Sequence, residues 1–131
     1  MIMENIIDVL RSMPDYIGSN GRSKEEIELA EKMLGVTFAK DYRKYLEEIG
    51  LACFCGHELT GLTKTERLNV VSVTKEQREL FGKSASTWYV IEETNIYGIV
   101  IWQGADGSVY ETAHNSKVRK VADSLSEYFE R

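Results

Sequence analysis

Residues 88–112 hold three short β-type runs joined by turn-rich links, and no other feature of the chain restricts its fold as much. The runs are 88–92, 98–103 and 108–112, and the links are Thr94-Asn95-Ile96-Tyr97 and Gly104-Ala105-Asp106-Gly107. Links this short permit only antiparallel neighbours, because a parallel pair needs a crossover of a dozen or more residues. The spacing therefore predicts an antiparallel meander.

Helical patterns flank the meander. Residues 3–12 place Ile6, Ile7 and Leu10 on one face and stop at Met13-Pro14-Asp15. Residues 15–22, with Gly18, Asn20 and Gly21, read as a loop. Ser23-Lys24-Glu25-Glu26 is a capping box, followed by an Ile27, Ala30, Met33, Leu34 stripe that ends at Gly35. A helix over 39–49 aligns Tyr42, Tyr45, Leu46 and Ile49 before Gly50. Residues 51–62 read as a strand with turns, and Leu68, Val70, Val71 and Val73 as a further β-type run. Thr74-Lys75-Glu76-Gln77 resembles a second capping box, opening a short helix that ends near Gly82. A last helix over 123–130 turns Leu125, Tyr128 and Phe129 inward, with Asp123 or Ser124 as its cap. The order predicts an α+β fold: N-terminal helices and a C-terminal helix packed on a mainly antiparallel sheet, in one domain over 1–131.

Composition narrows the function classes. With 131 residues, 43% of them hydrophobic, the chain can bury a core without disulfide or metal staples. Its 16 Lys and Arg against 21 Asp and Glu leave a net charge of −5. That balance weighs against nucleic acid, whose binding relies on cations that displace phosphate counterions, and against anionic membranes. It suits a basic protein partner. The start, Met1-Ile2-Met3-Glu4, has no basic region, and no apolar run reaches the roughly 18–20 residues of a membrane span. A soluble cytoplasmic protein with reduced thiols is expected.

The stretch "ACFCGHELTGL" (52–62) holds both cysteines and His57. On one strand, Cys53, Cys55 and His57 would share a face and offer three soft ligands. Structural zinc needs four, and the chain has no second cysteine pair; His114 is its only other histidine. Cys53 and Cys55 then read as small core side chains, with no metal and no cofactor. Phosphate-binding glycine loops and the Gly-x-Ser-x-Gly and Ser-x-x-Lys patterns are absent. Glu92 and Glu93 are adjacent, so on a regular strand they point to opposite faces and form no acid/base pair unless the strand is bulged. The expectation is a non-enzyme.

No Lys or Arg occurs between Lys83 and Lys117, whereas that segment carries Glu92, Glu93, Asp106 and Glu111 beside Trp88, Trp102, Tyr89, Tyr97 and Tyr110. About two-thirds of these aromatics belong in the core, since sheets favour aromatics for packing. The remainder, with the carboxylates, suits recognition of a basic protein. The candidate partner-binding residues are Glu92, Glu93, Tyr97, Trp102, Asp106 and Glu111.

Several segments, taken in order, resemble the SUKH superfamily of SMI/KNR-like proteins. "EIELAEKMLGVTFAKDYRKYLEEIG" is similar to its helix pair at Glu31, Leu34-Gly35, Asp41-Tyr42 and Leu46. "GHELTGL" is similar to the entry into its sheet. "WYVIEETNIYGIVIWQGADGSVYE" matches its hairpins at Trp88, Ile91, Gly98, Trp102, Gly107 and Tyr110, and "ADSLSEYFER" its last helix. Two positions depart from the pattern. Phe38-Ala39 stands where a Leu-Pro step is usual, and Tyr97 stands where many members carry aspartate. The resemblance implies a bacterial immunity protein that binds and neutralises a polymorphic toxin, often a nuclease, without catalysis of its own. Regulatory or scaffold modules of the same superfamily are the alternative it implies. A zinc or thiol enzyme using Cys53, Cys55 and His57 is a third reading, from the residues alone.

Overall fold

The computed structural model describes residues 5–113 and 117–130. His114 lies outside them. Helices α1 (Ile6–Arg11), α2 (Lys24–Leu34) and α3 (Lys40–Glu48) occupy the N-terminal part of the chain, and the fold also contains two antiparallel sheets. A small sheet joins β1 (Ile17–Gly18), β2 (Ala52–Phe54) and β3 (His57–Glu58) in that order. Helix α4 (Val70–Phe81) then leads into the main sheet. Its order is β4 (Tyr89–Glu93), β5 (Val100–Gln103), β6 (Val109–Thr112) and β7 (Arg119–Ala122), and α5 (Leu125–Glu130) follows. The expected α+β architecture is present.

Local chemistry explains the helix ends. Ser23 and Glu26 form the complete capping box, and Gly35 closes α2 at φ 68°, a backbone state glycine enters without a Cβ clash. Ser124 Oγ accepts from the Glu127 amide at 3.1 Å, capping the last helix.

The sequence motif of the helix pair is used inside the fold. Glu31 accepts from the Phe38 amide at 2.7 Å and pairs with Arg43. Asp41 accepts from Gln103 and from the Leu125 amide, both at 2.9 Å, so one carboxylate ties α3 to β5 and α5. The Tyr42 hydroxyl bonds Thr60 Oγ1 at 2.8 Å. Ala39, which stands where proline is usual, donates its amide to the Tyr89 hydroxyl at 2.9 Å, a bond proline could not make.

Two apolar clusters lie on opposite faces of the main sheet. Ile91, Ile101 and Val109 face a large core built with α1, α2, α3 and α5. Val90, Val100 and Trp102 face a smaller one with Val73, Ala85 and Phe81. Helix α4 therefore covers the sheet face that the other helices leave open. It also closes the edge of β4: the Val90 amide donates to Thr74 Oγ1 at 2.9 Å, and Arg78 Nη2 donates to the Trp88 carbonyl at 2.8 Å. Covering an edge in this way removes a template for strand pairing.

Four expectations need correction. The β-type run at 68–73 is the start of α4. Asn69 Oδ1 accepts from the Val71 and Ser72 amides and starts the helix there, and Val70, Val71 and Val73 form its buried face. Capping and burial outweigh the β preference of branched side chains. Thr74 is consequently mid-helix and caps β4 rather than a helix. The loop at 15–22 contains β1, and β7 follows the three expected strands. Finally, 52–58 is not one strand but a hairpin, turning at Cys55 (φ 45°) and Gly56 (φ 80°). Positive φ at both central residues is what a tight two-residue hairpin requires.

Candidate interaction groove

The hairpin turn removes the shared cysteine face. Cys53 pairs across the ladder with Glu58 and is half-buried, whereas Cys55 sits exposed in the turn, where its thiol contacts the Pro14 carbonyl at 3.2 Å. Neither cysteine is a core filler. Among the described residues no three His, Cys, Asp or Glu side chains converge as a metal site would need.

His57 has a different partner. Its Nδ1 lies 2.9 Å from Glu92 Oε1, and Tyr128 donates its hydroxyl to Glu92 Oε2 at 2.8 Å. Glu92 is only 2% exposed. A bulge explains why: the β4–β5 register shifts between Val90 and Glu92, so Ile91 and Glu92 both turn toward the large core. Glu92 thus holds β3, β4 and α5 together and presents no surface to a partner. Even with the bulge, Glu92 and Glu93 face opposite sides of the sheet, as their different partners show.

The other candidate residues separate as well. Trp102 is fully buried, its Nε1 donating to Thr112 Oγ1 at 2.9 Å. Asp106 lies in the β5–β6 turn, at the far end of the sheet from Glu93. Its carboxylate accepts from the Ser108 amide and hydroxyl, and the amide bond in particular holds its pKa below the usual aspartate value. Glu111 pairs with Ile101 across the ladder, so it is on the face opposite Glu93, and it bonds Arg119 at 3.0 Å. Strand β7 brings Arg119 and Lys120 beside the meander, so the acidic run does not fold into one acidic face. Of the six candidates, only Glu93 and Tyr97 come together on an accessible surface.

They meet in a groove of about 650 Å³ between α4 and the β4–β5 turn, lined by Gln77, Leu80, Phe81, Glu93, Tyr97 and Ile99 among others. Leu80 is 75% exposed, Ile96 58% and Tyr97 90%. Isolated exposed apolar residues are ordinary, but Leu80 and Tyr97 line the same groove, with Ile96 exposed in the adjoining turn, which makes this face the candidate interaction surface. Gln77 Nε2 donates to Glu93 Oε2 and fixes the carboxylate at the groove wall.

The turn itself is strained. Asn95 (φ 60°) and Tyr97 (φ 51°) both occupy the left-handed region. Asparagine tolerates it; a bulky tyrosine there is an outlier. Thr94 holds the turn, its Oγ1 donating to the Ile99 carbonyl at 2.9 Å and accepting from the Ile96 amide at 3.2 Å. Alternating hydrophobicity alone gives no sign of Leu80, because its role depends on α4 lying beside the turn.

The SUKH_5 family, described as SMI1-KNR4 cell-wall, matches residues 3–131. The chain belongs to this family. Its SUKH character extends over both sheets and all five helices among the described residues. No curated protein matches the chain. The SUKH motif residues Glu31, Asp41 and Tyr42 are structural, as their hydrogen bonds within the fold show. No helix among the described residues is long and apolar enough to cross a membrane.

Proposed function

We propose that this SUKH protein is a non-catalytic bacterial immunity protein, acting in the cytoplasm, that binds a cognate toxin domain and blocks it through the α4/β4–β5 groove. The observation that carries this reading is Tyr97, 90% exposed and held at φ 51° beside Glu93. A strained backbone presenting an unburied aromatic adds nothing to folding, which supports a role in contact with another molecule. Tyrosine is a preferred anchor of protein interfaces, since it offers large contact area at little entropic cost. The net charge of −5 supports a basic partner, such as a nuclease domain, with association sped by long-range attraction.

Co-expression with the toxin encoded by the adjacent gene tests the reading. Wild-type protein restores growth, and a folded Tyr97→Ala, Glu93→Lys double variant does not. Equal rescue by both would remove the groove from the interface. Genomic surroundings without any toxin gene would favour the scaffold alternative.

A further inference from the structure

We propose that the groove accepts a basic side chain of the bound partner, best an arginine, paired with Glu93 and stacked on Tyr97. This rests on the groove being the docking surface. It adds the chemistry of the occupant.

Charge is the first argument. Among the described residues that line the groove, Glu93 is the only charged one. The ion pairs of the described residues engage Glu31, Glu48, Glu92, Glu58, Glu111 and Asp123, and none engages Glu93. Gln77 supplies a neutral amide to Oε2. That amide carries no charge, so Glu93 has no ion-pair partner among the described residues; Arg67, which shares a small neighbouring pocket with it, is paired with Glu58. Helix α4, the turn and β5 line the same groove with Leu80, Phe81, Ile99 and Val100. Apolar walls reduce screening by water, so a cation entering the groove is attracted more strongly than at an open surface.

Shape is the second argument. Glu93 is half-buried at the groove wall, and Tyr97 stands almost fully exposed at its rim. An arginine side chain has an apolar stem for the Leu80 and Phe81 walls and a planar head that both pairs with carboxylates and stacks on aromatic rings. A lysine could satisfy the charge but not the planar stacking. The volume of about 650 Å³ leaves room for flanking apolar residues of the same segment.

Another groove lacks this chemistry. It runs between α2 and the start of α4, past exposed Leu29 and Met33, but Arg22, Glu26 and Lys64 line it with both signs of charge. It therefore selects no particular partner charge.

Selection from a displayed library of random linear peptides against the wild-type protein provides the test. Enriched peptides should carry arginine beside apolar residues and shift the amide resonances of residues 77–81 and 93–100. Replacing that arginine by citrulline, its neutral isostere, should weaken binding by roughly tenfold or more, as should Glu93→Gln. Thermal melting of the Glu93→Gln protein verifies that it is folded. Peptides that occupy the groove and bind equally well with citrulline would overturn the cation claim and leave the docking surface standing. Enrichment only of peptides that bind elsewhere, or of none, would overturn both.

Discussion

Replacing Tyr97 should separate stability from binding. The residue sits at φ 51°, and the left-handed region costs a non-glycine residue about 1–2 kcal/mol. At 90% exposure the ring contributes little burial that would be lost on substitution. Tyr97→Gly relieves the backbone cost, but glycine's greater freedom in the unfolded chain takes back about 0.4–1 kcal/mol. Tyr97→Asn relieves part of the cost without that penalty. Both variants should therefore gain about 0.5–1 kcal/mol. For 131 residues, an unfolding entropy of about 2.1 cal/mol/K per residue converts this to roughly 2–4 °C in Tm. Tyr97→Ala keeps the Cβ and the strain, so its stability should stay near wild type. Thermal and urea unfolding of the four proteins, with unchanged m-values, measure the effect. All three variants should also lose partner binding. A loss of more than about 1 kcal/mol in the Asn and Gly variants would refute the reasoning, because the ring would then be part of the packing rather than a presented anchor.

Three further perturbations test the interior. Glu92→Ala removes the buried acceptor shared by His57 and Tyr128 and should destabilise by about 2–4 kcal/mol, seen as a lower urea midpoint; a change below about 0.5 kcal/mol would mean the carboxylate does not link β3, β4 and α5. Gly61→Ala places a Cβ 2.0 Å from the Gly50 carbonyl oxygen and forces a backbone shift, so a loss of about 1–3 kcal/mol is expected, whereas a neutral result would show that the two segments are not in close contact. Burial raises the phenol pKa of Tyr42, Tyr45 and Tyr89, so the folded protein retains protons there that the unfolded chain releases near pH 10. Stability should consequently fall as pH rises past about 10, and phenolate absorbance from these three should appear only together with unfolding.

Elements set by local rules could be read from the residues. The capping box at Ser23, the glycine stops at 35 and 82 and the hairpins of the meander all follow from short-range chemistry. Helix α4 could not, because its opening Val70-Val71-Ser72-Val73 favours a strand until Asn69 caps it and the sheet buries its face. Strand β7 is short and starts with two cations, so it lacks the alternation that marks a half-buried strand. The site was legible in part for the same reason. Glu93 and Tyr97 stand out by type and position. The bulge that turns Glu92 inward, and the packing that seals Trp102 under α4, exist only once the strands have paired. Likewise, the apparent lack of positive charge in residues 84–116 ends when β7 returns Arg119 to the side of Glu111.

Amide hydrogen exchange of the protein, free and bound to its cognate toxin domain, tests the docking surface most directly. Protection should concentrate in residues 77–81 and 93–100, on the two walls of the groove. Protection confined to residues 29–33 of α2 or to β7, with the groove segments exchanging as in the free protein, would contradict it.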